Sequence, residues 1–135
     1  MASFSAELSI DGKSFPVLTA SYGLYQATDE RGKPSSGVRT HLIQLRLAGS
    51  DDETLPDWAV DPQKRLDGKV TFSRIDEAST FKELTFEQAY CVHYAEQVAP
   101  ADMADQLLPG SYLIDIGISP AVVKIGNTKH DNQWR

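Results

Sequence analysis

The stretch FSAELSIDGKSFPVL, residues 4–18, decides the fold class. Phe4, Ala6, Leu8 and Ile10 alternate with Ser5, Glu7 and Ser9, a period of two that lays one face of a strand on a core and the other in water. Asp11-Gly12 follows, a dipeptide that accepts the positive φ angles of a tight hairpin turn. The alternation resumes with Phe15 and Val17, and Pro16 suits a strand start or an edge, where no ladder N–H is required of it. The pattern runs on through Tyr22, Leu24 and Gln26 to Thr28, with a bend or bulge expected near residues 20–23.

Working outward, the same period recurs. In VRTHLIQLRL, residues 38–47, Ile43, Leu45 and Leu47 share one face, while Thr40, Gln44 and Arg46 share the other with Leu42. Such mixed polarity fits a wet surface or a partner subunit. Strands are expected over residues 69–75 and 81–86, again where Tyr112, Ile114, Ile116 and Ile118 alternate with polar or small residues, and at 122–125. The run EQAYCVHYAEQV, residues 87–98, has no decisive period. Its aromatic and β-branched content favours a strand, with Ala89, Cys91, His93 and Ala95 opposite Tyr90, Val92 and Tyr94.

One helix is expected. Asp51 or Asp52 caps it, Pro56 falls in its first turn, Leu55, Trp58, Ala59 and Val60 form its body, and Pro62 ends it. Residues 101–108 have the composition of a further helical turn within a connector. Seven or eight strands with one short helix, punctuated by turns, indicate a mainly β sandwich or barrel.

The 135 residues fit a single domain, 1–135, with enough apolar content (41%) to bury a core without disulfides or a structural metal. A net charge of −6 and the absence of any Lys/Arg cluster exclude a nucleic-acid binder, whose affinity rests on clustered cations. Nothing is apolar for long enough to insert in a membrane as a helix, and the first residues carry no basic and apolar leader, so the chain is expected to start in the cytoplasm. Cys91 is the one cysteine and reads as a small buried hydrophobe.

No catalytic or metal set emerges, and no cofactor is expected. His41, His93 and His130 have no metal-ligand spacing. Cys91 and His93, two apart, share a face in this reading, but two residues alone make no activated nucleophile. Asp76, Glu77, Glu83 and Glu87 lack an apolar pocket to tune them for acid–base work. GKPSSG, residues 32–37, lacks the Gly-Lys-Ser/Thr ending and following helix of a phosphate loop. It belongs instead to TDERGKPSSGVR, residues 28–39, a loop longer than a hairpin needs and therefore expected to reach toward a partner. Pro34 stiffens it, and Gly32 and Gly37 are expected at positive φ.

That loop, the FEQAYCVHY run at 86–94 and the ending GNTKHDNQW at 126–134 appear in an order that resembles the tube protein of bacterial type VI secretion systems, the haemolysin co-regulated protein family, in its Bacteroidetes form. The likeness spans nearly the whole chain; QVAPADMADQLLPG, residues 97–110, departs from the pattern. The resemblance implies a small β-barrel of two sheets with one short side helix and a structural, non-enzymatic subunit. It also implies hexameric rings stacked into a hollow tube that carries effector proteins, with sheath, spike and baseplate proteins as partners and export without a signal peptide. Asp29, Glu30, Arg31, Lys33, Pro34, Ser35, Ser36 and Arg39 are the expected stacking residues, with His130 and Trp134 as a second candidate group. The residues leave open a monomeric β-sandwich that binds carbohydrate or peptide through Tyr22, Tyr25, Tyr90 or Tyr94, and a hydrolase on a barrel. A tube protein of a related contractile injection system would share the architecture.

Overall fold

The computed structural model describes residues 4–75, 79–100 and 111–132. Among the described residues, ten strands and one helix follow in the order β1 (Phe4–Ile10), β2 (Lys13–Ser21), β3 (Leu24–Tyr25), β4 (Arg39–Thr40), β5 (Ile43–Ala48), α1 (Thr54–Val60), β6 (Leu66–Arg74), β7 (Ser79–Ala99), β8 (Ser111–Ser119), β9 (Val122–Ile125) and β10 (Thr128–Asp131). All pairings are antiparallel.

The large sheet runs β10-β9-β7-β6-β1-β2-β5-β8 and closes on itself because β7 also pairs with β8. Length makes that closure possible. The first half of the 21-residue β7 pairs with β6 and β9, and its second half, from Tyr90, pairs with β8. Six strands thus form a barrel, which removes most of the sheet edges that would otherwise recruit other chains. β3 and β4 form a separate two-stranded sheet. The expected barrel of two sheets with a side helix is the fold observed.

The barrel interior is filled by the apolar half of each alternation. Leu8 and Ile10 of β1, Ile43, Leu45 and Leu47 of β5, Leu84 and Phe86 of β7, and Ile114, Ile116 and Ile118 of β8 are all buried. α1 lies against β7. Its Trp58 is fully buried, stacks nearly parallel on Phe86 at 6.5 Å, and donates its indole N–H to the carbonyl of Ala89 at 3.1 Å. Capping is supplied one residue earlier than the N-cap: the Asp52 carboxylate accepts from Thr54 N at 2.8 Å, while Glu53 occupies the cap position without a side-chain bond. Hydrogen bonds from Thr54, and then Lys13 at 3.4 Å, hold the Asp52 carboxyl below its ordinary range.

Several expectations need correction. The bulge in the second strand lies at Leu18, where the β2–β5 register shifts between Val17 and Thr19, and the strand ends at Ser21. The stretch 38–47 is two strands, since His41 and Leu42 break it. Cys91 and His93 do not share a face. Between them two β7 residues oppose one step of β8, so Cys91 pairs with Ile118 inside and His93 with Gly117 outside. A bulge of this kind inverts the alternation beyond it. The chain also does not end its pairing at Ile125, because a turn with Gly126 at φ 60° leads into β10. The connector 101–110 lies outside the described residues.

Candidate assembly surface

Between β2 and β5 the chain leaves the barrel as an arm. Residues 24–37 are exposed without interruption. The arm's base is the β3–β4 pair, with Leu24 opposite Thr40 and Tyr25 opposite Arg39. His41 N donates to Gly23 O at 2.8 Å, and the Tyr25 and His41 rings stack at 4.5 Å.

The tip is built by its own residues. Asp29 Oδ1 accepts from the backbone N–H of both Arg31 and Lys33, at 2.9 and 3.0 Å. Asp29 N donates to Lys33 O, and Gly32 N to Asp29 O. Gly32 sits at φ 82°, a conformation that a side chain would strain. Gly37, expected at positive φ as well, is not. A bridge joins Thr28 to Pro34, Ser35 N donates to Ala27 O at 2.7 Å, and Ser36 Oγ accepts from Ala27 N at 3.0 Å. The predicted residues therefore divide by task. Asp29 and Ser36 brace the arm, while Glu30, Arg31, Lys33, Pro34, Ser35 and Arg39 present exposed side chains.

The C-terminal candidate group meets the arm at its base. Asn132, 9% exposed, accepts at Oδ1 from Thr40 N (3.1 Å), Thr40 Oγ1 (3.1 Å) and His130 Nε2 (3.0 Å), and donates from Nδ2 to Pro120 O (2.9 Å). Its own N–H donates to Ala121 O at 2.8 Å. Sequence reasoning singled out His130 and missed Asn132 and Thr40. Nothing in HDNQW distinguishes a buried asparagine from a solvated one. Trp134 lies outside the described residues.

The barrel's outer walls carry rows of polar side chains. On one, Glu7 and Ser9 of β1 stand beside Thr71 and Lys69 of β6, and Lys69 reaches Glu83 at 3.4 Å. On the other, formed by β2, β5, β8 and the second half of β7, Arg46 binds Asp115, and a cleft lined by Thr19, Ser21, Leu42, Gln44 and His93 surrounds the pair. Gln97 Nε2 adds a bond to Asp115 Oδ2 at 3.2 Å.

The four tyrosines of the binding-module reading do not converge. Tyr22 packs on the core against Phe72, Tyr25 lies on the arm, Tyr90 lies under the Arg65 guanidinium, and Tyr94 packs on the core and bonds to Glu96 at 2.6 Å. Burial and the Glu96 bond push the Tyr94 hydroxyl well above its ordinary range. Among the described residues no three His, Cys, Asp or Glu side chains gather as a metal site, and no helix is long and apolar enough to cross a membrane.

Solved structures repeat this architecture. Hcp1 from Flavobacterium johnsoniae is 31% identical, with a TM-score of 0.83 over 95% of this chain and 99% of that one. Hcp1 from Salmonella typhimurium is 14% identical, with a TM-score of 0.69 over 91% of this chain and 85% of that one. A chain of the PVC sheath-tube complex, an extracellular contractile injection system, is 16% identical with a TM-score of 0.54, covering 89% of this chain and 86% of that one. The last two likenesses concern the fold alone. No curated protein matches the chain in sequence. A closed six-stranded barrel with a side helix is the architecture this chain shares with the Hcp1 protein of Flavobacterium johnsoniae. The model of the family described as hemolysin coregulated protein Hcp (TssD) matches residues 2–135, and the chain belongs to that family, the tube proteins of type VI secretion. The expected Bacteroidetes affinity agrees with the Flavobacterium likeness.

Proposed function

We propose that six copies of this chain close into a ring and that rings stack, arm against neighbour, into a hollow tube that carries effector proteins. The observation that carries this reading is the arm: fourteen consecutive exposed residues, 24–37, held in shape by their own hydrogen bonds. A loop with no partner gains nothing from such bracing. A loop that docks gains affinity, because its ordering cost is met before contact. Exposed Glu30, Arg31, Lys33 and Arg39 offer both charge signs for register with a neighbour. Head-to-tail contacts between copies are completed by ring closure, and the polar rows on the outer walls suit surfaces that face a watery lumen or a surrounding sheath.

The role is mechanical. The chain acts as one domain, 1–135, without enzymatic chemistry, with sheath, spike and baseplate proteins as partners. It resides in the cytoplasm until the machine fires and is then exported by the apparatus. Replacing Lys33 to Ser36 with a short glycine linker tests the stacking role by electron microscopy. Rings without tubes are expected, and unimpaired tubes would refute the assignment.

A further inference from the structure

We propose that Asn132 is the positioning residue that aims the arm, so that stacking competence depends on it more than the barrel's stability does. This inference rests on the stacking role proposed for the arm. A two-stranded ribbon joined to a body by two stems, here residues 22–23 and 41–42, can swing about the line between them. A third point of attachment removes that freedom. Thr40, the last residue of β4, supplies it through two donors to Asn132 Oδ1.

The other side of Asn132 grips the barrel. Its Nδ2 and backbone N–H bind the carbonyls of Pro120 and Ala121, the joint where β8 passes into β9. This joint is itself held, since Ala121 N donates to Glu87 O on β7 at 3.1 Å. The chemistry admits one orientation of the amide. Thr40 N–H is obligatorily a donor and Pro120 C=O obligatorily an acceptor, so Oδ1 faces the arm and Nδ2 the barrel. It follows that His130 Nε2 carries a proton and donates to the same Oδ1. Three donors thus converge on one buried oxygen. β10 thus serves to carry His130 and Asn132 back from the Gly126 turn to the arm's base.

The test uses the full chain in four versions: wild type, Asn132→Ala, Thr40→Val, and a core variant, Val70→Ala, as a stability control. Ring mass, melting temperature, tube length in concentrated protein, and backbone hydrogen exchange are read for each. Asn132→Ala is expected to keep rings, to shorten or abolish tubes at least tenfold in mean length, and to raise exchange at Ala27, Ser35 and His41 while Leu8 and Val70 stay protected. Thr40→Val, which removes the hydroxyl donor alone, should give an intermediate result and remains informative if the alanine variant does not fold. Val70→Ala should lower the melting temperature and keep tubes. Full-length tubes from both arm variants, or tube loss that merely follows melting temperature through the core variant as well, would overturn the proposal. The glycine-linker arm separates the two levels: if it stacks normally, the arm's role itself fails, whereas if it does not stack and Asn132→Ala does, only the positioning role fails.

Discussion

Arg46 and Asp115 face each other in register across β5 and β8 on the outside of the barrel, with Nε 2.8 Å from Oδ1 and Nη2 3.2 Å from Oδ2. The two parallel bonds match the guanidinium fork to the carboxylate. They hold the Asp115 carboxyl below its ordinary range, the hydrogen bond being the larger cause and the Arg46 charge the smaller. A carboxyl depressed in the folded state contributes stability above the unfolded value of about 4 and loses it as pH falls below that. Asp115→Asn is therefore expected to lower stability at neutral pH and to leave it nearly unchanged in acid, which flattens the acid limb of the unfolding curve. Denaturant titrations at pH 7 and pH 3.5 check this, and an unchanged acid limb would count against it.

Trp58 fastens α1 to the barrel through its indole bond to Ala89 O and its stack on Phe86. Trp58→Phe keeps most of the apolar contact but leaves that buried carbonyl without its donor, at an expected loss of about 1–3 kcal/mol. Trp58→Ala adds a cavity and should cost about 3–5 kcal/mol. Urea unfolding followed by circular dichroism measures both, and a Trp58→Phe variant as stable as wild type would show that the hydrogen bond contributes nothing.

Gly68 is a packing glycine. A Cβ there would lie 2.7 Å from Phe86 Cζ and 2.9 Å from Ser9 O, the second of which is backbone and cannot swing aside. Gly68→Ala should destabilise by about 1–3 kcal/mol through forced movement of β1 or Phe86. A melting temperature equal to wild type would contradict that crowding.

Cys91 is buried opposite Ile118, and burial pushes its thiol up to about 11. Against an unfolded value near 8.5, thiolate at pH 8 should be rarer in the native protein by a factor on the order of 100. Labelling by a thiol reagent is expected to be slow in buffer and fast in denaturant. The sign for stability follows: the thiol's contribution is intact below the unfolded value and is lost as pH rises past it.

Strands with an uninterrupted alternation were legible in the sequence. The strands around Leu8 and Ile10 and around Ile114, Ile116 and Ile118 needed nothing but the period of two, because those alternate residues are buried in the barrel interior. The bulge between Cys91 and His93 was not legible, since an extra residue in one strand is defined only by its partner, and β8 lies some twenty residues away. β10 was missed for a related reason. Thr128 to Asp131 contains no apolar residue, so its strand character comes from the backbone ladder with β9. In the assembly surface, the polar and turn-forming composition of residues 28–39 disclosed an arm. The burial of Asn132 was invisible, because an asparagine is buried only when tertiary structure brings its four partners together.

The most direct test of the account is the mass of the purified protein by light scattering across a range of concentrations, with negative-stain images of the same samples. The account predicts a species of six times the 14.9 kDa subunit, seen as rings with a central hole and, at high concentration, as stacked tubes. A monomer at every concentration, with no ring in any image, would contradict it.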